Sequence, residues 1–371
     1  MLCVRAPGRV NLIGEHTDYN EGFVLPVAIN REIHLHAQPR TDHRCHFYSE
    51  TLDDQIEFDM EWLATQPAES LPQGWFRYVA GVASLLQQRA GRPLTGVDAV
   101  ITGNLPMGSG LSSSAAIEGA VAVMWNQIDQ LGLSALELAL LCQQAEWHYA
   151  GVRCGVMDQF ASMLGKAGHA LLIDTRTHFT ETVPLPDDWV IVVADTGKPR
   201  TLAGSEYNRR RAECEQAVSE LRAILGDAVN SLRDVSPEQA SLYLPLLSEP
   251  ARRRARHVVS ENARVLTFLD ALRQADAPTV RHLMLASHAS LRDDYEVSCD
   301  ELDWMVSACL SAPGCIGARM TGAGFGGACI ALVQKELTEP FMEHARATYC
   351  QRSDYAPQFL LCEAVDGAGT C

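Results

Sequence analysis

Apolar positions recur at different spacings along the chain, and each spacing predicts an element. Ile33-His34-Leu35-His36-Ala37 alternates cleanly, the period of a strand with one face turned inward, and residues 22–29 and 97–102 also read as strands. Residues 75–88 read as a helix stopped before Gly91, with Trp75, Phe76 and Tyr78 most simply in the core. Residues 115–128 are apolar nearly all round, which predicts a buried helix rather than an amphipathic surface one. Ser134 and Glu137 form a capping box for a helix that runs to about Tyr149 and ends at Gly151. Strands follow at 169–174 and 189–194, with the turn-forming run Pro184 to Asp188 between them. Helices then dominate, at 205–225, 250–273, 278–288 and 301–310, before a strand at 328–333, a helix at 337–349 and a last strand at 358–365. Residues 40–74 are polar and turn-rich and predict no element. The change of pattern near residue 180 suggests two lobes, which suits a chain of 371 residues.

Composition narrows the function. A net charge of -16 argues against a nucleic-acid binder, and the runs Arg209-Arg210-Arg211 and Arg252-Arg253-Arg254, set among acids, read as solvated helix faces. No run reaches the ~18 apolar residues of a membrane helix and no signal-like start is present, so a cytoplasmic protein without a membrane partner is expected. Twelve cysteines scattered from Cys3 to Cys371, with no Cys-x-x-Cys pair, read as reduced and mostly buried thiols. None of the histidines is spaced with cysteines as a zinc site requires, and His34 with His36 reads as a solvated strand face lacking a third ligand.

Three stretches carry candidate chemistry. In Leu105-Pro106-Met107-Gly108-Ser109-Gly110-Leu111-Ser112-Ser113-Ser114-Ala115-Ala116, a glycine-bearing turn and three hydroxyls run straight into the apolar helix. Glycines let backbone approach an anion, a helix start aims unpaired N–H groups at it, and the serines can cap that helix or reach a phosphate-bound cation. The residues after Gly110 are not the Lys-Ser/Thr of the usual P-loop, so this is a phosphate loop of another kind. Earlier, Gly8-Arg9-Val10-Asn11-Leu12-Ile13-Gly14-Glu15-His16-Thr17-Asp18-Tyr19 packs so many polar groups together that the loop is either solvated or grips a polar ligand such as a polyol. Late in the chain, Gly322, Gly324 and Gly327 match a dinucleotide fingerprint by spacing, but a strand rather than a helix follows, which excludes that reading. Between them, Glu146 in a last helical turn is costly without a compensating cation. Asp158, among Val156, Met157 and Phe160, is a helix N-cap or a functional acid.

In order and spacing these stretches resemble the three signature motifs of the GHMP small-molecule kinases. The Gly8-to-Tyr19 segment and Cys154-Gly155-Val156-Met157-Asp158-Gln159 narrow the resemblance to the galactokinases. The resemblance implies an α+β, two-lobed fold: an N-terminal mixed-sheet lobe over residues 1–180 and a helix-rich C-terminal lobe with its own sheet over 181–371. It implies phosphorylation of the anomeric hydroxyl of galactose by ATP with Mg2+, by a monomer or weak homo-oligomer. Asp158 matches the catalytic aspartate and Arg9 the basic residue beside it. Glu15, His16, Thr17, Asp18, Gly155 and Tyr207 match sugar-holding positions. Gly108, Ser109, Gly110, Leu111, Ser112, Ser113 and Ser114 match the nucleotide loop, with Ser49 and Trp75 bordering the nucleotide; Ser114 and Glu146 match the metal ligands. A kinase for N-acetylgalactosamine or arabinose would share most of these motifs. A non-catalytic sugar sensor would lack the pair Ser114-Ala115, which is present. Two departures stand out: the first motif begins at Arg5, without a segment that usually precedes it, and Asp195 to Arg200 replaces a stretch that usually contains asparagine.

Overall fold

The alternating segment at Ile33–Ala37 lies within a strand of 14 residues, Pro26–Pro39, with Ile33, Leu35 and Ala37 turned into the core and His34 and His36 facing outward. A computed structural model describes residues 1–106, 110–199 and 203–371, the side chains of 203–205 excepted. Strand Pro26–Pro39 pairs with Leu2–Asn11 on one side and Val97–Gly103 on the other. The six-stranded sheet is completed by Gly369–Thr370 beyond Leu2–Asn11, and by Arg44–Ser49 and Asp54–Asp59 beyond Val97–Gly103. It is mixed: Arg44–Ser49 runs parallel to Val97–Gly103, and the other pairs are antiparallel. The last two strands fall where the sequence predicts nothing. The apolar residues that their short hairpin turns inward are Cys45, Phe47, Ile56 and Phe58, too few to stand out from a polar stretch.

Helices Ser113–Ile128 and Met157–Leu164 lie directly on this sheet, and Phe76–Ala90 and Ala135–Ala145 pack against them. Ser113–Ile128 is buried along most of its length, as its all-round apolar pattern requires. A second, antiparallel sheet is ordered Cys315–Met320, Ala328–Gln334, Trp189–Asp195, Gln358–Cys362. It is packed by Ala277–Asp293, Asp300–Ser311 and Thr338–Tyr349, with Ala203–Leu225 and Ala251–Arg273 outside them. A small third sheet joins Phe23–Val24, His169–Asp174 and Phe179–Pro184. The chain crosses back at its end: Ala364 bridges Ile29, and Thr370 pairs with Val4. No helix among the described residues is long and apolar enough to cross a membrane.

Two sequence expectations are corrected. Cys3 and Cys371 are joined as a disulfide rather than free, because the Val4 to Thr370 register sets them opposite each other; the remaining ten cysteines are free. The arginine triplets are not simply solvated. Arg210 and Arg254 are buried, and Arg254 pairs with Glu213 and Glu296 while Arg210 donates to the carbonyls of Tyr295 and Glu296. One residue of any three consecutive helical positions can face inward, and neighbouring acids here offset the cost of burying its charge.

Candidate active site

A pocket of about 740 Å³ opens where the end of the first strand, the start of helix Ser113–Ile128, the segment before Met157–Leu164 and the glycine-rich turn after Met320 come together. At its centre is a two-pronged ion pair. Arg9 Nε donates to Asp158 Oδ1 at 2.7 Å and Nη2 to Oδ2 at 2.8 Å. The third prong of the guanidinium, Nη1, donates to the Gly110 carbonyl at 2.7 Å, and the Arg9 N–H to the Leu111 carbonyl at 3.0 Å. Burial alone would lower the Arg9 pKa, but attraction and hydrogen bonds from Asp158, with Glu15 and Asp18 nearby, hold it above its ordinary value. Asp158 is not a helix N-cap: Val156 is, and Asp158 stands in the first turn of its helix.

Ser112 holds the N-cap position of its helix, but its side chain does not bond the helix N–H groups. Its backbone sits in the left-handed region, φ 62°, and its hydroxyl donates to Asp158 Oδ2 at 2.5 Å. The first N–H groups of helix Ser113–Ile128 therefore face the pocket without a side-chain cap from Ser112. Ser113 and Ser114 also line the pocket, whereas Leu111 is buried and contributes its carbonyl to Arg9. Gly108 and Ser109, expected in this loop, lie outside the described residues, as does Arg200.

Glu146 opens a π-helical turn, Glu146–Ala150, that follows helix Ala135–Ala145 and ends at left-handed Gly151. Such turns re-aim side chains, and this one brings the carboxylate to the Ser114 hydroxyl. Burial first, then the Asp158 charge, pushes Glu146 up to about 7. Sequence reasoning missed its neighbours. Gln159 Nε2 donates to Glu146 Oε2 at 2.6 Å and to Glu118 Oε2 at 3.3 Å, so one amide holds two buried acids. Burial, reinforced by the Glu146 charge, raises Glu118 well above the usual carboxylate range. A glutamate inside an otherwise apolar helix, four residues after Ser114, was the available signal. Cys154 places its thiol 3.5 Å from Glu146 Oε2.

The first-motif residues divide by task. Glu15 Oε1 accepts from Thr321 Oγ1 at 2.9 Å and the Gly322 N–H at 2.8 Å, and lies 3.5 Å from buried Arg319, so it ties the first motif to the third. The Thr17 hydroxyl is spent on the Gly14 and Phe23 carbonyls at 2.8 and 2.6 Å, and Thr17 does not line the pocket. His16 bonds Tyr19 through Nδ1 and stacks near Tyr207 and Tyr295; burial, then His257 and Arg210, holds it well below 6.5 and therefore neutral. Asp18 and Tyr207 line the pocket. Gly155 lets Asp18 sit against the backbone, since a Cβ there would fall 1.9 Å from Asp18 Oδ2. Burial, then the Asp158 charge, pushes Asp18 up to about 7. Ser49 and Trp75 border a second pocket of about 240 Å³, largely apolar, which shares Ser113 and Ser114 with the first.

Comparison with known proteins finds relatives along nearly the whole chain. The chain matches the GHMP kinases N terminal domain over residues 77–166, the galactokinase galactose-binding signature over 2–39 and the GHMP kinases C terminal over 268–349. It is 47% identical to a galactokinase of Chloroflexus aggregans over 98% of this chain and 92% of that protein. It is 45% identical to one of Roseiflexus sp. over 99% and 92%. Among solved structures it resembles Lactococcus lactis galactokinase complexed with galactose, with a TM-score of 0.93, 36% identity and coverage of 100% and 95%. The mevalonate kinase of Methanococcus jannaschii, at 16% identity, a TM-score of 0.68 and 98% coverage of both chains, shares the fold alone.

Proposed function

The chain belongs to the galactokinases of the GHMP kinase family, and from that membership we propose that its main pocket phosphorylates the anomeric hydroxyl of galactose with ATP, yielding galactose 1-phosphate. The observation that carries the assignment of roles is the Asp158 carboxylate, held by Arg9 and Ser112 beside a helix N-terminus in one pocket. Phosphoryl transfer needs positioned reactants and neutralised charge more than covalent help. The first N–H groups of helix Ser113–Ile128 bind the phosphates, the pocket bordered by Trp75 and Ser49 takes the base, and Asp18 and Tyr207 hold sugar hydroxyls. Glu15 and His16 shape that sugar subsite, and Gly155 gives Asp18 its room. Asp158 accepts the proton of the attacking hydroxyl while the fixed charge of Arg9 stabilises the transferring phosphoryl.

The donor set fits a magnesium ion: Ser114 and Glu146 offer hard oxygens, and Glu146 is a buried acid with Glu118 and Asp158 near it. Magnesium, when bound there, neutralises phosphate charge. Ser114 and Glu146 would hold it, with Gln159 fixing the Glu146 carboxylate.

A coupled ADP-release assay across a sugar panel tests the reading. Galactose should give the highest kcat/KM, with N-acetylgalactosamine and arabinose behind it. A different best sugar removes the specificity and leaves the kinase, while sugar binding without ADP release marks a sensor. A second expectation follows from Asp18. At saturating magnesium, kcat/KM for galactose should fall about tenfold per pH unit below about 7, because the protonated acid loses the charge with which it accepts from sugar hydroxyls. In the ligand-free protein the sign for stability is opposite. A carboxyl whose native pKa exceeds its unfolded 3.8 keeps its proton longer when folded, so its contribution declines as pH rises from there to about 7. Asp18→Asn should flatten the acid limb; an unchanged limb assigns it to another group.

A further inference from the structure

The two outward histidines of strand Pro26–Pro39 have companions that only the fold supplies. Strand Leu2–Asn11 lies between that strand and Gly369–Thr370, pairing Arg5 with His34 on one side and with Gly369 on the other. Cys3, Cys371 and His34 are thereby gathered on the outer face of the sheet, and their ligand atoms all lie within 4.8 Å of one another. We propose that Cys3, Cys371 and His34 form a redox-gated site for a thiophilic divalent cation, zinc by class, available only when the Cys3–Cys371 bond is reduced.

Two cysteine sulfurs and an imidazole are the donors that zinc prefers, and three protein ligands leave a position for water. The surroundings suit such a site. Glu32 Oε2 stands 3.6 Å from His34 Nε2, too long for a hydrogen bond but close enough for its negative charge to favour a cation at this face. The neighbouring Arg5 is already engaged, by Glu32 at 2.9 Å and by the Asp366 carbonyl at 3.1 Å, so its charge is compensated rather than aimed at the sulfurs. Pairing does not depend on the disulfide alone, since the Cys371 N–H also donates to the Cys3 carbonyl at 3.1 Å. Opening the gate needs a dithiol reductant: it takes up the disulfide, its two thiol protons pass to Cys3 and Cys371, and both protons leave when the thiolates bind the cation.

The test is titration of the full chain with Zn2+, and separately with Co2+, after reduction and removal of the reductant, against the same protein reoxidised. The reduced protein should take up one equivalent that the oxidised protein does not, and Co2+ should give a thiolate charge-transfer band. Cys371→Ser and His34→Ala should each weaken uptake at least tenfold, while ADP release with galactose, which uses none of these residues, reports that the variants remain folded. No metal uptake by the reduced protein overturns the proposal. So does uptake that survives both substitutions, which would place the cation on other free thiols such as exposed Cys350, and so does equal uptake by the oxidised protein.

Discussion

Asp158→Asn is expected to lower kcat by on the order of 10³-fold, the scale of losing a positioned proton acceptor. The carboxamide keeps the size of the side chain, and its single oxygen in the Oδ2 position can still accept from Ser112 and Arg9 Nη2 while the Arg9 Nε bond is lost, so the loops should remain assembled. It cannot take the proton of the sugar hydroxyl, and it leaves the Arg9 charge without its closest counterion. ATP and galactose should therefore still bind, measured by calorimetry, while ADP release collapses. Turnover near the wild-type rate would remove Asp158 from the chemistry. A loss of only a few-fold would show that it orients the hydroxyl while the proton departs late, with the phosphoryl. Arg9 makes a poor companion probe, because its replacement also removes the side-chain bond to the Gly110 carbonyl and so disturbs the phosphate loop.

The second large effect is on stability. Glu15→Ala should destabilise the protein by about 3 kcal/mol or more, the range found when one partner of a buried ion pair is deleted. Arg319 is fully buried and has Glu15 as its ion-pair partner, while its Nη1 is occupied by the Asn11 and Leu12 carbonyls. Removing Glu15 also orphans the Gly322 N–H, while the Thr321 hydroxyl keeps the Asn11 carbonyl at 3.3 Å. Glu261 attracts Arg319 as well, which limits the loss. Glu15→Gln, which keeps an acceptor for Gly322 but not the charge, should fall between the two. Denaturant midpoints decide it: unchanged midpoints for both variants would mean that the first and third motifs do not depend on this tie.

Much of this protein was legible before any tertiary contact was known. The all-round apolar run at 115–128 fixed a buried helix, and the capping box at Ser134 is present as expected, with Ser134 accepting from the Glu137 N–H. Both are local properties of period and side-chain chemistry, which act within a few residues of the chain. The same locality excluded a dinucleotide fold at Gly322 to Gly327, where a hairpin indeed joins Met320 to Ala328. What the sequence could not determine is which polar groups meet once the chain is folded. Ser112 turning from its helix to Asp158, Gln159 joining Glu118 to Glu146, and Arg254 entering the core all depend on partners 13 to 46 residues away along the chain. So does the pairing of Cys3 with Cys371, 368 residues apart. A residue's type sets what it can bond. Only the tertiary structure decides the partner and its burial, and these determine whether a hydroxyl, thiol or carboxylate supports the fold or remains available for chemistry.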